Sequence, residues 1–456
     1  MAKKKKKRTY HRPQQQKNFV PKAVSLSQCM IVKNEEKNIE KALSWGKGYA
    51  FEQIVVDTGS TDKTVEIAER MGAKVFHFEW INDFSAAKNF AIEQASGRWI
   101  AFLDADEYFP EEDVKKLISL ISNIENDPKL SKIESAISCP IVNIDEDGRP
   151  IMVFNQQRIF KNSPGIRYKG SIHEYLDLEH PGFNAPELNV IHTGYSTTAY
   201  AETGKAERNV DMIRVELAKD PDNANLKCYL ADSMRVGDDK NVLAEVELLY
   251  QEVIASKQEV FSELRQGAYN YLIALYFDKE EKNDESYEMC REAYEKFPDN
   301  PDFCYYYGRK LQIKGDSKAA LKKFQESEDL LKRDMIQTRA GYIIANPMVL
   351  FYFMVLVAEE LGEVDEIIRC ATLLLKEDKY QHEMLAPYIA AFNRTGYSTS
   401  AGEIFALLGK LYDFNNTRDK LTVMNAAKKA LNVELVQIIL NTLTQEELSW
   451  LTESQG

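Results

Sequence analysis

The stretch Trp99-Ile100-Ala101-Phe102-Leu103-Asp104-Ala105-Asp106-Glu107 decides the fold. Five apolar residues read as a strand, and two carboxylates one residue apart end it. Such carboxylate pairs are common on any surface. At the ligand-binding end of a strand, two like charges are costly unless a cation offsets them. Hard divalent cations such as Mg²⁺ or Mn²⁺ take oxygen ligands and share them with substrate phosphates. The pair is therefore either an ordinary surface feature or the seat of a metal diphosphate.

Outward from it, strand and helix signals alternate. Ser25 to Val32 reads as a strand, Glu35 to Trp45 has helical spacing, and Gln53 to Asp57 is a second strand. Thr61 to Met71 reads as a helix with Ser60 or Thr61 as N-cap, Lys74 to Phe78 as a short strand and Ser85 to Gln94 as a helix. This alternation predicts an α/β domain with a mostly parallel sheet and helices on both faces. Ligands on such sheets bind beyond the carboxyl ends of the strands. Polar clusters follow those ends: Val32-Lys33-Asn34-Glu35-Glu36, Asp57-Thr58-Gly59-Ser60-Thr61-Asp62, Asn82-Asp83-Phe84-Ser85-Ala86-Ala87-Lys88-Asn89 and Asp104-Ala105-Asp106. Gly59 permits a tight turn. Asp57 is placed to accept hydrogen bonds from a ribose or base, while Ser60 and Asp62 also read as helix caps. No GxGxxG or GxxxxGK[ST] pattern supports a dinucleotide or P-loop site.

Beyond residue 205 strand signals give way to successive amphipathic helices. Ala274, Phe277, Cys290 and Ala293 are matched 34 residues later by Gly308, Leu311, Phe324 and Ser327, the period of a two-helix tetratricopeptide unit. Ala231 and Met234 begin an earlier, longer unit, and those past residue 335 are degenerate. Stacked units leave a concave surface, which either binds peptide or serves a structural or dimerising role. Tyr305-Tyr306-Tyr307 is either an aromatic anchor there or a filler between helices. The expected organisation is a disordered basic tail over 1–22, the α/β domain over 23–205 and an all-α helical-repeat domain over 206–456.

Composition narrows the function classes. The chain of 456 residues carries a net charge of -13 despite the six consecutive cations from Lys3 to Arg8. An acidic body argues against nucleic-acid binding, which relies on neutralising phosphates. The tail is either simply solvated or makes weak electrostatic contact with an anionic membrane. It has no apolar run behind it, so no secretory signal is expected. The apolar run Met348 to Ala358 falls short of the about 20 residues that span a bilayer. Six cysteines without a CxxC pair predict buried thiols in a reducing cytoplasm, with no zinc site or disulfide framework.

Together the four polar clusters resemble the GT-A nucleotide-sugar domain of glycosyltransferase family 2, over about residues 25–195. The resemblance implies a Rossmann-like fold and a nucleotide-sugar donor, a UDP-sugar in the first instance. It implies donor contacts from Val32, Asn34, Glu35, Asp57, Lys88, Asp104 and Ala105, and a divalent metal, Mn²⁺ or Mg²⁺, held by Asp106. Lys88 stands where many members carry Arg, which keeps the charge and loses the planar fork. Gln157-Arg158-Ile159-Phe160, Gly170-Ser171-Ile172-His173-Glu174 and Val190-Ile191-His192-Thr193-Gly194-Tyr195 resemble a bacterial branch that pairs this domain with tetratricopeptide repeats, the SunS-like peptide glycosyltransferases. That branch implies a peptide or protein acceptor held by the repeats. A similar front end occurs in enzymes of lipopolysaccharide synthesis, so an envelope glycolipid acceptor stays open, as does a non-catalytic repeat scaffold.

The residues themselves suggest the chemistry. Transfer to a hydroxyl or thiol needs a base, and a carboxylate serves if burial raises its pKa. Glu174 is the candidate, unless it is a surface residue beside His173. His192 follows an apolar strand and is either a nitrogen ligand completing the metal shell or a satisfied core histidine. The role of His173 stays open. Stretches 80–88 and 160–185 are expected to form flexible walls over the site. The expected reaction is an inverting, metal-dependent sugar transfer.

Overall fold

The structure, a computed structural model, describes residues 24–178, 182–193, 205–235, 240–333, 341–394 and 399–453. The basic tail and the Gly194-Tyr195 end of the closing motif lie outside the described residues. The chain forms two compact units, the first running to Lys219 and the second from Asp220.

The first unit is built on β1 (Leu26–Val32), α1 (Ile39–Ser44), β2 (Glu52–Asp57), α2 (Thr64–Met71), β3 (Lys74–His77), α3 (Phe84–Gln94), β4 (Trp99–Phe102), β5 (Glu107–Tyr108), α4 (Glu111–Asn126), β6 (Ala136–Ile144), β7 (Pro150–Lys161), β8 (Arg167–Lys169), β9 (Tyr175–Asp177), β10 (Phe183–Asn184), β11 (Val190–His192) and α5 (Lys205–Lys219). The main sheet runs β3-β2-β1-β4-β7-β6-β11-β5, with β10 beside β6. Its first four strands are parallel, as the alternating pattern predicts. Alternate residues of β4 face opposite cores. Trp99 and Ala101 pack with Val114, Leu117 and Ile121 of α4, and Ile100 and Phe102 with Ala91 and Ile92 of α3. Helices cover both faces, which is why the strands read as unbroken apolar runs.

Past β4 the sheet turns mixed. The hairpin β6–β7 enters with β7 antiparallel to β4, Ile100 opposite Phe160 and Ala101 opposite Ile159. The Asp145 carboxylate closes the hairpin by accepting from the N–H groups of Asp147 and Arg149. β11 then returns parallel to β6 and antiparallel to β5, setting His192 opposite Glu107.

Two helix starts differ from expectation. α1 begins only at Ile39 because Asn34, at φ 58°, turns the chain left-handed before a loose turn over Glu35–Asn38. α2 begins at Thr64, and neither Ser60 nor Thr61 caps it. The Ser60 hydroxyl instead accepts the Asn34 N–H, and Asp62 accepts the N–H groups of Thr64 and Glu36. The Ser60 hydroxyl is thus spent on tying β1 to β2, and Asp62 serves both that tie and the helix start.

The second unit is all helix among its described residues. The repeat partners fall on successive helix pairs, Ser262–Tyr276 with Asn283–Lys296 and Pro301–Ile313 with Ser317–Arg333. Gly308 shows why a small residue recurs: a Cβ there would stand 2.7 Å from the Phe324 ring. Tyr305 is buried between Phe324, Tyr342 and Phe353, Tyr306 stacks on Tyr342, and Tyr307 on Tyr294. The three tyrosines fill gaps between helices. The apolar run at Met348 lies in the helix Pro347–Leu361, and no helix among the described residues is long and apolar enough to cross a membrane. All six cysteines are buried and free.

Candidate active site

The carboxyl end of β4 gathers a cluster of opposed charges. Lys88 points from α3 into the domain, where it is 2% exposed. Its Nζ lies 2.7 Å from Glu174 Oε1 and 3.3 Å from Asp104 Oδ1. The rings of Phe102 and Tyr168 flank it, each centroid at 5.2 Å. Burial works against the ammonium, but Asp104 and Glu174 outweigh it and raise the pKa. From β7, Arg158 Nη2 lies 2.8 Å from Asp104 Oδ2 and also contacts Glu107 Oε1. Burial opposes the Asp104 charge, yet Arg158 and Lys88 hold its carboxyl well below the usual range. Burial pushes the Glu107 carboxyl up, and Arg158 offsets only part of that. The cluster sets two permanent cations, Lys88 and Arg158, against four carboxylates, Asp104, Asp106, Glu107 and Glu174. An additional cation is electrostatically welcome there.

Beside it, His192 Nε2 lies 3.3 Å from Asp106 Oδ2, while His192 Nδ1 is bonded to Asn143 Oδ1. The Asp106 carbonyl accepts from both the N–H and the hydroxyl of Thr193, which fixes the turn after β4. Burial would lower the His192 pKa, and Asp106 raises it. An imidazole whose Nδ1–H donates to an amide oxygen presents its Nε2 lone pair in a fixed direction, the usual support for a metal-bound histidine. Asp106 and His192 thus fit a divalent cation. Among the described residues no group of three or more His, Cys, Asp or Glu could hold one.

The other sequence candidates sit at the β1 and β2 ends, where they build the rim. Val32 is buried, and its carbonyl accepts from the N–H and hydroxyl of Thr58. Asn34 Oδ1 accepts the Thr61 N–H, and the Glu35 N–H donates to Thr64. Asp57 accepts from the N–H groups of Gly59 and Ser60 and contacts His77. Burial opposes the Asp57 charge, and the Ser60 and Gly59 bonds overcome it. Ala105 is packed beneath the rim against Met30 and Val32. Glu174 meets the Lys88 ammonium instead of lying in an apolar pocket. The 80–88 wall is half helix, and the Phe84 N–H donates to Ser171 O, so α3 and the 168–174 segment brace each other.

Residues 27–134 match the model of Glycosyl transferase family 2. This stretch is a glycosyl transferase family 2 domain. It runs from β1 to just short of β6 and contains Asp57, Lys88, Asp104 and Asp106, while Glu174 and His192 lie beyond it. The chain is 33% identical over 211 residues to a TPR repeat-containing protein of Synechococcus elongatus, 44% of this chain and 50% of that one. It is 30% identical over 199 residues to the SPbeta prophage-derived glycosyltransferase SunS of Bacillus subtilis, 42% of this chain and 45% of that one. It thus spans about half the length of the curated relatives it matches. Among solved structures, S. aureus TarS aligns with 58% of this chain and 55% of its own at 17% identity and a TM-score of 0.34.

Three contributors escaped the sequence reading. Arg158 stood in a quoted motif without a role, although a lone cation beside the apolar Ile159-Phe160 was a signal. Glu107 read as one more carboxylate after the pair. Asn143 carried no signal, because only the pairing of β6 with β11 sets it behind His192.

Proposed function

We propose that this chain is a glycosyltransferase that moves a sugar from a nucleotide sugar, a UDP-sugar first, to a side-chain hydroxyl or thiol of a peptide or protein, with inversion. The observation that carries the reading is the Lys88 bridge, which ties the candidate base Glu174 to Asp104 at the end of β4. The family 2 domain and the relative named as a glycosyltransferase support the reaction class. The repeat unit supports a polypeptide acceptor, the surface type that stacked helix pairs offer. The scaffold alternative leaves the unbalanced carboxylates without a use.

A divalent cation, when bound at Asp106 and His192, supplies charge neutralisation for the departing diphosphate. The chain's own groups do the rest. The rim from Asn34 to Asp57 receives the nucleoside. Lys88 and Arg158 fix the Asp104 carboxylate, and Asn143 fixes the His192 ring. Glu174 takes the acceptor proton as the acceptor oxygen or sulfur bonds to the anomeric carbon. The bond from that carbon to the diphosphate oxygen breaks, and the electron pair leaves with the nucleoside diphosphate. Attack from the face opposite the leaving group inverts the centre, with no glycosyl-enzyme intermediate.

The test is turnover of a panel of nucleotide sugars, read as donor hydrolysis, which requires no known acceptor. Glu174→Gln keeps the shape and removes the proton acceptor, so turnover should fall by about 10² to 10⁴ while the donor still binds. Near wild-type turnover in that variant removes Glu174 from the mechanism. Turnover that persists in excess EDTA removes the metal.

A further inference from the structure

α3 turns one polar face toward the segment that carries Glu174. Phe84, Ser85, Lys88 and Asn89 lie four apart in two pairs, the spacing of one helix face. Each meets the chain between Tyr168 and Glu174. The Phe84 N–H donates to Ser171 O at 2.8 Å, and the Ser85 hydroxyl to Gly170 O at 2.5 Å. Lys88 pairs with Glu174. Asn89 makes both halves of a peptide-like pair: its Nδ2 donates to Tyr168 O and its Oδ1 accepts the Tyr168 N–H, each at 2.9 Å. A carboxamide offers donor and acceptor together in one plane, which a carboxylate or hydroxyl cannot match.

The braced segment is strained. Gly170 sits at φ 91° and His173 at φ 53°. A left-handed histidine next to Glu174 persists only where its surroundings over-determine the backbone. The α3 face supplies that constraint. Asn89 itself is in contact with neither Glu174 nor the strand-end carboxylates in any hydrogen bond described.

We propose that Asn89 is a positioning residue for the base: it locks Tyr168 at the entry to the strained turn, whose far end then presents Glu174 at a fixed place over Lys88. This rests on the reading of Glu174 as the base. Misplacing a reacting group by about 1 Å costs on the order of 10²-fold in rate. The lever is the backbone of residues 168–174, so it acts on kcat and leaves donor affinity alone.

The experiment uses the full chain and the nucleotide sugar that it turns over fastest. Asn89→Asp keeps the size and the acceptor for the Tyr168 N–H but turns an acceptor toward Tyr168 O. Ser85→Ala removes the neighbouring bond to Gly170. The control is Asn162→Ala, because Asn162 Nδ2 also holds two backbone carbonyls of the same unit, Ala95 O and Gly97 O, away from Glu174. Asn89→Asp should lower kcat by about 10- to 100-fold at unchanged donor KM, and Ser85→Ala should do so more weakly. Asn162→Ala should lower the melting temperature and leave kcat unchanged. Wild-type kcat in folded Asn89→Asp overturns the assignment, as does an equal loss of kcat in Asn162→Ala. Should Asn89→Asp not fold, wild-type kcat in Ser85→Ala overturns it and a reduced kcat at unchanged KM sustains it. Glu174→Gln run alongside separates the two readings. If it turns over at the wild-type rate, the base reading fails whatever Asn89 does. If it is inactive while Asn89→Asp is unimpaired, only the positioning assignment fails.

Discussion

Arg158→Met removes the only cation in ionic contact with Glu107 among the described residues and keeps an unbranched side chain in β7. Two carboxylates then lose a partner, unequally. The Asp104 side chain is 38% exposed and retains Lys88 at 3.3 Å, so water and the ammonium can stabilise it. Glu107 is 2% exposed and keeps only the bond from the Asp104 N–H. Breaking a buried pair from one side costs about 3–5 kcal/mol, because a charge is left without compensation. For a unit of this size about 1 kcal/mol moves the melting temperature by roughly 2–4 °C, so the first unit should lose about 6–20 °C in calorimetry. Neutralising the stranded partner in Arg158→Met/Glu107→Gln should restore most of that loss, and the double-mutant cycle reads the coupling. The pH dependence has a fixed sign. Burial already holds the Glu107 carboxyl above its usual range, so without Arg158 it takes up a proton more readily, and the deficit of the single variant narrows as pH falls. A loss below about 1 kcal/mol is what an exposed pair gives. That result, or a double variant no more stable than the single one, would refute the buried-pair account.

Asn143→Ala removes the group behind His192 and should weaken Mn²⁺ binding in the presence of UDP by about 10- to 100-fold; unchanged affinity in a calorimetric titration would exclude His192 as a supported ligand. Away from the site, burial works against the Glu52 charge, but Lys74 and the bonds from Ser96 and Ser27 outweigh it and bring the carboxyl down from 4.5 to about 2. A folded-state pKa below the unfolded one means stability that is fully present above about pH 4.5 and lost as pH falls toward 2, about 3 kcal/mol in all. Glu52→Gln should therefore be less stable than the wild type at pH 6 and approach it near pH 2; parallel curves would show that the carboxylate contributes nothing.

What was legible in the sequence is what local pattern controls. Unbroken apolar runs ending in polar clusters gave the parallel half of the sheet and the edge that carries the candidate site. The 34-residue period located the helix pairs before any contact was known. The charge cluster was not legible, because its partners are far apart in the chain. Asp104 and Arg158 are 54 residues apart, and they meet only because the β6–β7 hairpin enters antiparallel beside β4. Asn143 reaches His192 by the same route, through β11 returning beside β6. Antiparallel insertion depends on tertiary pairing and leaves no periodic trace in a single strand. The helix starts failed for a related reason. Ser60 has the right chemistry for a cap, but the Asn34 N–H takes its hydroxyl across 26 residues, while Asp62 both accepts the Thr64 N–H at the helix start and holds the Glu36 N–H.

The lysine at position 88 shows how one departure from a family pattern acquires meaning from packing. Read as a sequence, it keeps the charge of the arginine that many members carry and loses the planar fork. In the fold it is almost wholly buried, and its two carboxylate partners come from different elements, Asp104 at the end of β4 and Glu174 before β9. An ammonium holds three donors on a compact centre, so it can serve two carboxylates that do not share a plane. A guanidinium would need more room between the rings of Phe102 and Tyr168, which flank Nζ at 5.2 Å each. The planar fork is thus replaced by a point charge where the task is to join two carboxylates. Arg158, which contacts Asp104 and Glu107 from the neighbouring strand, supplies the guanidinium.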